Sequence, residues 1–382
     1  MEEFSTISDT VKNSPSRLIL THHAIVDRVW KLPMTVSEYV TKLLSGEPRF
    51  VGECNERIGG GGINSALVAA SLGKKVVFAG FADKAAMALI EKIKKECGLN
   101  FPLHAIDCGE RKNTIFEFSN GNHLLKNIAP DHDSKSIVGR ISSLSVSDND
   151  WVVSASFYPH ITLPLLDIST NFFLDTGYDA TRRAQNLLSL LCDRLNSAPP
   201  RNFQFIIGAN EREIVNIAEE FGMSVFDGQH LAERISERAG TKIQILLHTS
   251  EFSTLFDPDV HDSWVVPCFE LQAIKRLTNA GDTLNGAFLS ALSSGFEHIP
   301  ALFFAQAAVA KRLCDDELPT PQNTAEFLKT VRMKRPSLPP EIRIVGMSEI
   351  SDSLNQKSNR ITLTRALSVC DRPSPASRRP AA

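Results

Sequence analysis

Short apolar runs recur along this chain, at residues 17–27, 75–79, 151–154, 172–174, 203–207 and 243–247, each set off from the next by polar or helix-patterned residues. Runs this short and this apolar suit strands buried on both faces. Strands that alternate with helices assemble as βαβ units into a mainly parallel sheet. The alternation excludes an all-helical core and a purely antiparallel one. Helical spacing is clearest over 62–72, stopping at Gly73, and over 282–292 and 299–313. Two segments follow another rule. Residues 49–57 alternate loosely between apolar and polar, and 113–126 do so around Asn120-Gly121, a hairpin-turn dipeptide. They predict a small exposed sheet standing apart from the main core.

The two ends lack such patterning. Residues 1–16 are polar and read as a flexible leader. Residues 350–382, rich in Ser, Arg and Pro, read as a disordered basic tail that cannot bury enough apolar area to offset its ordering entropy. Between them, 17–345 is expected to form one domain, with lid segments at about 31–58 and 110–127. Lys plus Arg is 41 and Asp plus Glu is 44, a net charge of −3, which excludes the basic footprint of a nucleic-acid binder. No apolar run approaches the roughly 18 residues of a membrane span. The opening Met-Glu-Glu-Phe-Ser lacks the basic flank of a secretory signal. Seven cysteines stand singly, an odd number with no Cys-x-x-Cys pair, as expected of reduced cytoplasmic thiols.

Three segments carry chemistry. Gly59-Gly-Gly-Gly-Ile-Asn64 runs into a helix; its glycines let backbone approach a ligand, and Asn64 is either a helix cap or a ligand donor. Ile206-Ile-Gly-Ala-Asn210-Glu-Arg-Glu213 joins a strand to a helix, and Asn210 with Glu213 has the spacing of a capping box. Thr278-Asn-Ala-Gly-Asp282 precedes another helix, where backbone N–H groups and the helix dipole favour an anion. Asp282 is there either a cap or a general base, with its pKa held low by the dipole.

In this order the three segments resemble the ribokinase-like (PfkB) carbohydrate kinase family. Gly59, Gly60, Gly62 and Asn64 match its Gly-Gly-x-Gly-x-Asn substrate signature, Asn210 and Glu213 its Asn-x-x-Glu element, and Ala280-Gly-Asp282 its C-terminal signature. The resemblance covers about residues 17–330. It implies a three-layer α/β/α fold with a mostly parallel central sheet and a small β lid. It further implies an enzyme that transfers the γ-phosphate of ATP to a hydroxyl of a sugar-like small molecule, with Mg2+. Asp282 would be the base, and the N–H groups of Asn279, Ala280 and Gly281 the anion hole. Asp27, Gly59, Gly60 and Asn64 would grip the substrate. Asn210, His248 and Ser250 would meet the nucleotide, and Glu213 would order Mg2+ through water. Neither nucleic acid nor membrane is an implied partner, and a homodimer through the lid is compatible with the resemblance.

The chain also departs from that pattern. Arg276 stands where the family keeps an Asp that supports a monovalent cation, and Asn279 replaces an anion-hole Gly. His248-Thr-Ser-Glu-Phe-Ser253 lacks the glycines of the nucleotide turn, and His22-His23 occupies a place where Gly is common. A nucleoside kinase on the same fold is the alternative. It would need an aromatic slot, for which Trp30, Phe50, Phe116 and Phe118 are candidates. A non-catalytic ligand sensor that keeps the pocket is a third reading.

Overall fold

The computed structural model describes residues 2–46, 52–110, 112–119, 121–125, 134–177, 183–197, 204–223, 227–260, 264–276, 278–335 and 343–344. The expected tail, 350–382, lies outside them, as do Phe50 and the turn residue Asn120.

Among the described residues, thirteen strands form one connected sheet system. They are β1 (Arg17–Lys31), β2 (Glu53–Gly59), β3 (Lys75–Ala82), β4 (Leu103–Ile106), β5 (Lys112–Phe118), β6 (Gly121–Leu125), β7 (Trp151–Ser154), β8 (Asn171–Asp175), β9 (Gln204–Asn210), β10 (Ile243–His248), β11 (Phe252–Phe256), β12 (Trp264–Pro267) and β13 (Arg343–Ile344). The central order is β13-β12-β11-β10-β9-β8-β7-β1-β3-β4. From β10 to β4 every pairing is parallel; the β10–β11 and β11–β12 pairs are antiparallel.

Alternate residues of the central strands enter two separate cores, which is why these strands read as unbroken apolar runs. Leu18, Leu20, Val76, Phe78 and Ile206 join one cluster with the helices Gly61–Ser71, Ala280–Leu292 and His298–Asp315. Ile19, Val77, Val152, Phe205 and Ile207 join the other with the helices Leu187–Ser197 and Gly228–Ala239. The expected sheet, mostly parallel and helix-covered on both faces, is what forms.

Three expectations need correction. Residues 2–13 are not a loose leader: Glu2–Asn13 is a helix whose Phe4, Ile7 and Val11 are fully buried, with Phe4 stacked on Phe304 at a centroid distance of 4.7 Å. Those three positions share one helical face, but three apolar residues among nine polar ones make a stripe that only a waiting groove can read. The first strand does not end at Asp27 but continues to Lys31. The lid sheet, in turn, does not stand apart. Residues 17–24 of β1 lie in the core between β3 and β7, whereas 25–31 pair with β2 and β5. One continuous strand thus carries the lid, and Asp27 is fixed to the core through it.

Candidate active site

The residues singled out in the sequence meet at the carboxyl ends of the parallel strands, where open α/β sheets present their crevice. His248 ends β10, Asn210 ends β9, Asp175 ends β8 and Ala155 follows β7, while Asp27 lies just past the core half of β1.

The Gly-rich segment is shaped by what it passes. Gly60 has φ +99, a conformation that favours glycine, and a Cβ there would collide with the His23 carbonyl oxygen. A Cβ at Gly59 would strike the Asp27 carboxylate. Gly61 opens its helix against Asp282, whose Oδ1 would lie 3.0 Å from a Cβ at Gly61. Gly60 is the N-cap, so Asn64 is not; its amide donates to the carbonyls of Ile58 (3.2 Å) and Gly60 (3.1 Å). Asn64 is fully buried and steadies the loop from behind.

The second helix start faces the first. Gly286 allows the two helices to pack closely, since a Cβ on it would meet the Ser65 backbone, and the Ser65 hydroxyl donates to the Asp282 carbonyl at 2.9 Å. Asn279 caps the helix Ala280–Leu292 in the left-handed conformation, φ 66 and ψ 20, which Asn tolerates better than most residues. The backbone shape required of this turn therefore survives the loss of Gly. Asp282 is half-buried in the first turn. Burial pushes its carboxyl up to about 6, against the pull of Arg312 and Arg276 and with a push from Asp27. The low pKa expected from the dipole is thus overturned: desolvation of the carboxylate outweighs the helix dipole, typically worth about 1 kcal/mol.

Asp27 is 7% exposed and accepts a hydrogen bond from the Asn113 amide at 2.9 Å. Burial raises its pKa, while Asn113, Arg276 and Arg57 hold it down. Asn210 and Glu213 do form the capping box: Asn210 Oδ1 accepts from the N–H groups of Arg212 and Glu213, and Glu213 Oε2 accepts from the Asn210 N–H at 2.9 Å. Asn210, His248, Ser250, Ala280 and Gly281 line a cavity of about 650 Å³, closed on other sides by Phe269, Gln306 and Lys334. Burial lowers His248 to about 4, so a neutral imidazole lies beside Gly281. Lys334 Nζ donates to the Ser250 carbonyl at 2.8 Å and braces this turn in place of the missing glycines.

Sequence reasoning missed Asp175, Asn285, Arg57 and Arg312. Asn285 donates to Asp175 Oδ2 at 2.9 Å. Burial, then Glu213 and Asp282, drive the Asp175 carboxyl well above its ordinary range. Its signal was faint: a lone Asp closing the run 172–174. Arg276, at the position of the cation-supporting Asp, is 6% exposed and donates to Asp316 Oδ1 at 2.9 Å and to the Thr278 carbonyl at 3.1 Å.

Among the described residues, no three His, Cys, Asp or Glu side chains are spaced to hold a metal ion directly. The all-oxygen set of Asn210, Glu213 and Asp175 nevertheless fits a hydrated hard cation such as Mg2+. Glu213 raises the cost of ionising Asp175, and the buried Asn285 Oδ1 finds no partner.

Two helix starts converging on one carboxylate at the carboxyl ends of a parallel sheet, beside a large cavity and under a β lid, define a scaffold of the ribokinase-like class. Residues 25–317 match the pfkB family of carbohydrate kinases, and the chain belongs to that family. A ribokinase from Haemophilus influenzae is 33% identical over 128 residues, 32% of this chain, and the match spans 40% of that protein's length. Among solved structures, a Thermotoga maritima ribokinase superposes with a TM-score of 0.62 at 21% identity, over 82% of this chain and 99% of that one. An adenosine kinase from Sinorhizobium meliloti superposes with a TM-score of 0.60 at 15% identity, over 82% and 99%. The ribokinase of Arabidopsis thaliana, solved with ribose and ATP, gives 0.58 at 18% identity, over 83% and 99%. At these identities the likeness is one of fold. No helix among the described residues is long and apolar enough to cross a membrane.

Proposed function

We propose that this chain is an ATP-dependent kinase that phosphorylates a hydroxyl of a sugar-like substrate, with Asp282 as general base. The observation that carries this reading is Asp282 itself. It is a carboxylate at about 6, poised near working pH as a base should be, where two helix starts present N–H groups. The acceptor hydroxyl gives its proton to Asp282 as its oxygen bonds to the γ-phosphorus. The bond to the β-phosphate oxygen breaks, and the nucleotide leaves as the diphosphate. The N–H groups of Asn279, Ala280 and Gly281 carry the charge of the transferring group, so positioning and electrostatics supply most of the rate. Asn210, Glu213 and Asp175 would hold Mg2+ through water; when bound, the ion neutralises phosphate charge. Asp27 and Gly60 grip substrate hydroxyls, while Asn64 supports their loop.

The parity of the lid strands favours a sugar over a nucleoside. Asp27 lies opposite Arg57 on β2 and Asn113 on β5, and polar groups surround it at this point of the face. Trp30, Phe116 and Phe118 fall at positions of opposite parity. Trp30 is 37% exposed, and Tyr39 packs against Phe116 and Phe118. The aromatic candidates for a base slot thus face away from Asp27. A homodimer through the lid, where Leu43 and Leu44 are exposed, and a cytoplasmic location are part of the proposal. ATP turnover by the purified chain over a panel of sugars and nucleosides tests it. Turnover with sugar-like acceptors is expected. Turnover with nucleosides alone overturns the substrate class, and none with any acceptor favours a sensor.

A further inference from the structure

A second cavity, of about 590 Å³, lies between the helices Gly61–Ser71 and Lys84–Glu96 and the turn after Asp315, and it shares only Arg276 with the cavity at Gly281. Three guanidinium groups, those of Arg57, Arg276 and Arg312, line it. Two are engaged: Arg57 donates to Glu117 (3.3 Å) and Asp316 (2.9 Å), and Arg276 to the other oxygen of Asp316. Arg312 is different. It is 4% exposed, its Nη2 reaches Asn64 Oδ1 only at 3.4 Å, and its Nε and Nη1 have no partner. Burial, then the neighbouring Arg276, lower its pKa to about 9. A buried charged donor left unmatched costs more than one whose hydrogen bond is made.

The acidic groups on the wall make no hydrogen bond to Arg312: Asp316 attracts it, as does Asp282 nearby, but Asp316 accepts its hydrogen bonds from Arg57 and Arg276. Glu56 is paired with Arg28 and Lys112, Glu96 with Lys92, and Glu317 is exposed. Cys97 also lines the cavity; burial and Glu96 raise its thiol pKa, and the charge of Arg312 pulls it the other way. The rest of the wall includes Leu67, Leu89, Ile93 and Leu99. A volume of this size suits a small organic ligand, with polar groups at one end and an apolar body at the other.

We propose that this cavity is a second ligand site, taking a small molecule that bears a phosphate group, with the oxyanion on Arg312, Arg57 and Arg276 and a compact apolar body against Leu89 and Ile93. Donors from three separate side chains suit the three terminal oxygens of a tetrahedral phosphate better than the two of a planar carboxylate. Arg312 holds Asn64, and both Arg276 and Arg312 act on Asp282, so occupancy is transmitted to the catalytic loop. The proposal does not depend on the chain's turning over ATP.

The test is calorimetric titration of phenyl phosphate, with inorganic phosphate in parallel, into the full chain and two variants. Arg312→Met removes the unmatched cation. Cys97→Trp fills the cavity from an exposed position that does not line the cavity at Gly281, and it leaves the arginines intact. Saturable binding of phenyl phosphate by the wild type is expected, tighter than that of inorganic phosphate, and weakened about tenfold or more by each variant, on the scale of a lost charge-assisted hydrogen bond. No binding to the wild type overturns the proposal. So does binding that Cys97→Trp leaves unchanged, which would put the anion in the cavity at Gly281 instead.

Discussion

Replacing Asp282 by Asn removes a charge that the fold holds against its own preference. The carboxyl lies at about 6 against the 3.8 of a free side chain, chiefly because it is buried. Two units at about 1.36 kcal/mol each make the ionised form cost the folded state roughly 3 kcal/mol, of which the helix dipole offsets up to about 1. Below pH 3.8 the group is protonated in both states and contributes nothing. The penalty grows as pH rises from 3.8 to about 6 and is complete above that. Asp282→Asn is therefore expected to stabilise the protein by about 2 kcal/mol at pH 8 and much less at pH 4, while lowering kcat by about 10²-fold or more. In the wild type, kcat/KM should fall as pH drops through about 6. Urea unfolding at both pH values, beside a coupled turnover assay, measures all three. A gain in stability over the wild type that is no larger at pH 8 than at pH 4 would refute the burial argument, and a variant that kept its turnover while losing stability would leave Asp282 with only a structural role in the first turn of its helix.

Turnover should be nearly independent of K+: Arg276 is buried and ion-paired with Asp316, so a fixed cation already stands beside the catalytic loop. Exchange of K+ for tetramethylammonium at constant ionic strength checks this, and a several-fold stimulation by K+ would contradict it. Glu213→Gln should raise the Mg2+ concentration for half-maximal activity about tenfold with little change in sugar KM, because the carboxylate orients the metal's waters without touching substrate. An equal loss of both affinities would leave Glu213 with its capping role alone. Phe4→Ala should cost about 3 kcal/mol of unfolding free energy, the scale for an aromatic side chain removed from a core. An unaltered urea midpoint would mean that the helix Glu2–Asn13 does not dock in solution.

The strands of the core and the order of the site segments were legible because both depend on neighbours within a few residues. A doubly buried strand needs an unbroken apolar run, and a tight approach to backbone needs glycine where φ is positive, as at Gly60. That logic placed β7, β8 and β10 and both helix starts of the site. Turn chemistry singled out Asn210, Glu213 and Asp282 as candidates, and the family resemblance added Asp27 and His248. It could not reach what depends on partners far along the chain. Arg57 and Arg276 share a carboxylate on Asp316 only after folding, Asp175 meets Asn285, and the buried stripe of Phe4, Ile7 and Val11 has meaning only beside Phe304. The protonation of Asp282 belongs to the same group: local sequence offered a helix dipole that lowers its pKa, and the tertiary structure imposed a desolvation that raises it further. Periodicity and turn chemistry are written into adjacent residues. Burial, and the charges that distant segments bring to one point, exist only once the chain has closed around them.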